Sequence, residues 1–192
     1  VHAPLAGTVQ KDSVVTLPNG RHVKTLPIRT AAGQPAGQEL IDLLFGGDWP
    51  ADTDHDADAI VDAVRNAGLV GMGGAAFPTH VKLRRNDNKP VDTLLVNGCE
   101  CEPYLTADDR LMIEAPQPVL AGALLAARAC GAGQIVIAVE DNKPRAIDAL
   151  RAAAKGSGVR PAAVETRYPM GGEKQTLPAV LGREVTTGGL PL

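Results

Sequence analysis

Val91-Asp92-Thr93-Leu94-Leu95-Val96 runs directly into Asn97-Gly98-Cys99-Glu100-Cys101-Glu102-Pro103. The first stretch is short, apolar and partly β-branched, which is the composition of a buried strand. The second is polar and acidic, so the strand delivers a loop that must face water or a ligand. Glu100 and Glu102 stand two residues apart beside Asn97, and carboxylates held that close are costly unless solvent or a donor-rich ligand meets them. Ribose hydroxyls and a nicotinamide amide are such donors. A solvated acidic loop describes the same residues without any ligand.

Downstream, the chain keeps the rhythm of an open parallel α/β sheet. Residues 115–129 read as an Ala/Leu-rich helix, 134–139 as a strand, 144–154 as a helix with Pro144 in its first turn, and 162–166 as a strand. Ligands of such sheets sit beyond the carboxyl ends of the strands. Those ends are Asn97 to Glu102, Glu140 to Lys143, and Tyr168-Pro169-Met170-Gly171-Gly172-Glu173-Lys174.

Upstream, residues 57–67 read as a helix with Ile60, Val61, Val64 and Ala67 on one face. Gly68-Leu69-Val70-Gly71-Met72-Gly73-Gly74-Ala75-Ala76-Phe77-Pro78-Thr79 follows it, with Lys82 shortly after. Glycines at 71, 73 and 74 let consecutive N–H groups approach an anion, and Lys82 supplies a cation, so a phosphate such as that of FMN suits the loop. The loop follows a helix instead of a strand and lacks a Gly-Lys-Ser/Thr ending, so neither common nucleotide motif describes it. A glycine helix stop followed by a turn is the plainer description. The glycine loop, the acidic loop and the 168–174 turn are expected to converge on one pocket.

These three motifs, with Ala107-Asp108-Asp109-Arg110-Leu111-Met112 and Gly182-Arg183-Glu184-Val185, resemble the C subunit of the Rnf electron transport complex. They are more distantly similar to the FMN- and NADH-binding subunit of respiratory complex I. The resemblance spans residues 57–192. It implies a Rossmann-like parallel sheet with helices on both faces, holding FMN with NADH stacked on it. By position, it implies that Gly71, Gly73 and Gly74 wrap the FMN phosphate, that Lys82 contacts the flavin and that Asn97 hydrogen-bonds it. Phe77 matches an aromatic that stacks on the NADH adenine. Glu100 and Glu102 match acids lining the flavin and nicotinamide site, and Gly172-Glu173 matches a later Gly-Glu motif. Met72, Ala76, Cys99 and Lys174 stand where the complex I subunit has Arg, Gly, Asp and Glu.

The mechanism implied is hydride transfer from NADH to the flavin and single-electron exit to iron-sulfur centres, which needs no protein nucleophile. In the family complex that flow drives ions across a membrane. The implied partners are NADH, other subunits of the complex and a ferredoxin-type carrier, at the cytoplasmic face of a bacterial inner membrane. Two other readings share the motifs: a cobalamin-reductase-type flavoprotein of the same superfamily, and a docking module that has lost its flavin.

The remaining sequence sets bounds. A chain of 192 residues, 44% hydrophobic with a formal net charge of −3, suits a soluble protein with one good core and a small appendage. Its mild acidity and few aromatics do not describe a nucleic-acid surface. Residues 1–30 resemble part of a lipoyl-like β barrel-sandwich without a carrier lysine, broken by the turn Pro18-Asn19-Gly20, and 31–56 read as a linker. Both ends read as interruptions of a longer chain, with two four-iron clusters expected beyond Leu192. Cys99, Cys101 and Cys130 are too few and wrongly spaced for one here, so no metal is expected. His80 is the histidine nearest the phosphate loop.

Overall fold

The computed structural model describes every residue except 1, 2, 4, 48, 50–53, 73, 74 and 190–192. It divides into two compact units, Val1–Gly47 and Asp48–Leu192. In the first, β1 (Gly7–Val9) pairs antiparallel with β4 (Ile28–Thr30), and β2 (Ser13–Thr16) with β3 (His22–Thr25). The turn between β2 and β3 reverses through Gly20 at φ 80°, with the Asn19 side chain accepting from the Arg21 N–H at 3.1 Å. The stretch 31–56 carries a helix of its own, α1 (Gln38–Phe45). Its Gly and Pro residues flank Leu40, Ile41, Leu43 and Leu44 and do not interrupt them.

The second unit is the α/β body. Its elements are α2 (Ala57–Asn66), α3 (Thr79–Leu83), β5 (Thr93–Asn97), α4 (Ala107–Glu114), α5 (Pro116–Cys130), β6 (Gln134–Glu140), α6 (Pro144–Ala153), β7 (Val159–Val164) and α7 (Glu173–Leu181). The strands form a parallel sheet in the order β5-β6-β7. Pro116 and Pro144 sit in the first turns of α5 and α6, where the missing N–H costs nothing. Gly131, at φ 79°, takes the left-handed position that ends α5.

Alternation along β6 sends Ile137 and Val139 to one face, where they pack with Met112 of α4, Leu120 of α5 and Ile147 and Leu150 of α6. Ala138 faces the other way, onto Val164, Met170 and Val180. A third cluster joins Ile60 and Val61 of α2 and Leu83 of α3 to Ala129 of α5. Helices therefore cover both faces, as the α/β reading expects. Arg183, just past α7, makes two bonds of 2.8 and 2.9 Å to Asp92 at the start of β5. That guanidinium, with the Thr93 side chain, holds the Asp92 carboxyl below its usual range. Among the described residues no helix is long and apolar enough to cross a membrane.

The core predicts its own sensitivity. Leu150 is fully buried, so Leu150→Ala should cost about 2–5 kcal/mol in urea unfolding, whereas the half-exposed Val81→Ala should stay within about 0.5 kcal/mol.

Candidate functional site

The glycine loop leaves α2 through a complete helix stop. Gly68, at φ 66°, donates to Arg65 O at 2.9 Å, and Leu69 N donates to Val64 O at 3.2 Å. These are the two bonds of a Schellman ending, so Gly68 alone closes the helix. The later glycines have another task. Gly71 N donates to Phe77 O at 2.8 Å and Thr79 N to Leu69 O at 3.1 Å, clasping the base of the loop. Among the described residues, a Cβ on Gly71 would come no closer than 3.7 Å to a neighbour, so crowding by those residues does not require glycine there. Gly73 and Gly74 lie outside the described residues. Beyond the loop, α3 carries Lys82, whose Nζ stands 5.9 Å over the Phe77 ring.

The acidic loop is fastened at several points. Gly98 N extends the sheet ladder to Ala138 O at 2.8 Å, and a Cβ there would meet that oxygen at 2.9 Å. The Asn97 side chain accepts from Cys99 N at 3.2 Å and donates to Gly171 O at 2.8 Å. Glu100 turns its carboxylate inward. Its carboxylate is buried, accepting from Asp108 N at 2.8 Å and Asp109 N at 3.0 Å, with Lys143 Nζ at 3.6 Å. The reason is local: the residue before α4, Thr106, offers no side-chain cap, and Glu100 caps the helix instead. Glu102 stays exposed. Burial, then Glu100 and Glu102, push the Asp108 carboxyl up. Arg110 pairs with Glu114 one turn along α4.

The two thiols of the loop differ. Burial, with Glu140 and Cys101 nearby, pushes the Cys99 thiol up to about 12, so it is neutral at physiological pH. Cys101 packs on the third segment, since a Cβ on Gly171 would lie 3.2 Å from its Sγ. That segment turns into α7 at Gly172, where a Cβ would meet Gln175 Oε1 at 2.5 Å. Thr176, fully buried, sets its hydroxyl 2.5 Å from Met170 O and 3.0 Å from Gly172 O. Glu173 then opens the helix with its Oε1 3.3 Å from Lys82 Nζ.

Lys82, the acidic loop and the 168–174 turn come together around two cavities where one pocket was expected, and the described residues of the glycine loop line neither. Lys82, Asn97 and Glu173 line one of about 480 Å³, together with Leu83, Leu95 and Thr176, and this cavity continues to residues 89–93 and Arg183 at the amino end of β5. Glu100 and Glu102 line the other, of about 310 Å³, with Glu140, Lys143 and Tyr168. The Asn97–Gly171 bond and the close approach of Gly171 to Cys101 join the acidic loop to the 168–174 turn. Sequence reasoning placed Glu140 to Lys143 at a strand end that faces ligands but singled out neither residue as a site residue. The available signal was an acid closing an otherwise apolar strand. The arrangement of the first cavity offers a cation, an amide and a carboxylate around an apolar floor, which is a binding and orienting set.

The pattern of the Nuo51 FMN-binding domain matches residues 64–192. The chain is 50% identical over 139 residues to the C subunit of the Na(+)-translocating ferredoxin:NAD(+) oxidoreductase complex of Acetobacterium woodii, covering 72% of this chain and 31% of that protein. It is 39% identical over 188 residues to the C subunit of the ion-translocating oxidoreductase complex of Rhodobacter capsulatus, covering 96% of this chain and 35% of the relative. The chain thus spans about a third of the length of these relatives. A solved structure of an NAD+-reducing [NiFe]-hydrogenase superposes with a TM-score of 0.64 at 30% identity, over 77% of this chain and 29% of the other. The chain belongs to the Nuo51 FMN-binding domain family, together with the C subunits of ion-translocating oxidoreductase complexes.

Proposed function

We propose that this chain holds FMN beyond the carboxyl ends of its parallel strands and serves electron transfer between NAD(H) and iron-sulfur carriers in a membrane complex that moves ions. The observation that carries this reading is the meeting of Lys82, Asn97 and Glu173, from three separate segments, on one 480 Å³ cavity. The donor set fits the cofactor. Lys82 and the loop of Gly71, Gly73 and Gly74 suit its phosphate, with Lys82 also able to reach the ring system. Asn97 and Glu173 suit its amide and hydroxyl groups. Bound FMN would supply the exchange of two electrons with a hydride donor and of single electrons with metal centres.

The protein's own part is orientation and electrostatics. Asn97 is held at both ends by Cys99 N and Gly171 O, so its amide presents a fixed direction to a ligand. The Lys82–Glu173 pair is half-exposed, with side chains at 46% and 53%, and adds little to stability. Its charges are therefore available for a ligand. Glu102 and Phe77 are the groups left facing outward for NADH, the first for ribose or amide donors and the second for the adenine. Glu100, turned inward, is assigned instead to building the loop. The names of the relatives and of the structural neighbour, with their NAD(+), ferredoxin and ion translocation, support the rest. The expected four-iron clusters, the partner subunits and the inner-membrane location belong to the same proposal.

Two measurements test it. Replacing a charged partner of a ligand typically costs about 1.5–3 kcal/mol, roughly ten- to a hundredfold in affinity. Lys82→Met should weaken FMN by that amount in a fluorescence titration, and Gly74→Val should weaken it similarly, with the melting temperature of Lys82→Met unchanged. Unaltered FMN affinity in both variants would remove this cavity from the account. Glu102→Gln should leave FMN bound while raising the NADH concentration needed to bleach the flavin in stopped flow. An unchanged NADH dependence would make Glu102 a solvated loop residue.

A further inference from the structure

Glu140 is the last residue of β6 and is 1% exposed, at the carboxyl tip of the central strand. One carboxylate oxygen, Oε2, accepts the Glu100 N–H at 3.1 Å. The other, Oε1, is buried with no hydrogen-bond partner among the described residues. No ion pair among those residues involves Glu140, and Lys143, which lines the same cavity, pairs with Glu100. Burying a half-satisfied carboxylate costs free energy that a leucine at the tip of an apolar strand would not.

We propose, building on the FMN reading above, that Glu140 is a positioning residue of the flavin site: its carboxylate bolts the Asn97–Glu102 loop to the central strand through the Glu100 amide. This follows from the contacts. Glu140 holds the Glu100 N–H, Glu100 caps α4, and Asn97, three residues earlier, carries the bond to Gly171. Releasing Glu100 would loosen the segment that aims Asn97.

Glu140→Gln keeps an oxygen for the Glu100 N–H, whereas Glu140→Ala removes it. With Glu140→Ala, the Glu100 amide should exchange its hydrogen at least tenfold faster than in wild type, and FMN affinity should fall at least tenfold. With Glu140→Gln, both should stay within about threefold of wild type. Unchanged Glu100 exchange in Glu140→Ala, or an equal loss in Glu140→Gln and Glu140→Ala, would overturn the positioning role. A wild-type chain that binds no FMN sinks the proposed function and the flavin half of this inference. The exchange arm still decides the loop-holding role, since it needs no cofactor.

Discussion

Glu100 turns its carboxylate away from solvent and uses both oxygens on the first N–H groups of α4, with Lys143 of the β6–α6 connection closing the charge. Three elements meet there, and their relative placement depends on that one side chain. The end of β5 cannot shift without uncapping α4, and α4 supplies Met112 to the main core. The loop that follows β5 is therefore part of the fold's framework, and a ligand there would meet a preorganised surface.

That framework separates two kinds of polar group. Lys82, Asn97 and Glu173 remain at the rim of a cavity floored by Leu83, Leu95 and the α7 face. Glu100, Glu140 and Lys143 are withdrawn beneath the acidic loop, where burial makes each contact structural. Cys99 sits with the second group as a neutral thiol, and Gly98 is required by the closeness of the Ala138 carbonyl. The site thus consists of a few accessible groups held by a buried polar layer, an arrangement suited to orienting a cofactor.

The sheet was legible because each strand is an apolar run ending in a polar loop, and β5, β6 and β7 appear within a few residues of where the sequence places them. Helices α3 and α7 were not read as elements, and α4 only as a helix start at Asp108 to Arg110. Residues 107–114 are half charged, and α4 gains its cap from Glu100, eight and nine residues from the N–H groups it satisfies. Helix α7 begins after two glycines and contains Pro178, both signals of irregular chain. The inward turn of Glu100 was hidden for the same reason: its partners come from α4 and from Lys143, and no local spacing announces them. The role of Glu140 requires seeing that its second oxygen has no partner, which only the packed structure shows.

The account's central claim is that one ligand, FMN, is gripped at the carboxyl ends of these strands by the glycine loop, the acidic loop and the start of α7 together. Amide hydrogen exchange of the chain with and without saturating FMN measures this most directly. The account predicts added protection at residues 71–75, at Asn97 to Cys99 and at Gly171 to Glu173, with β2 and β3 of the first unit unaffected. Protection confined to any one of those segments, or absent from all of them at saturation, would contradict it.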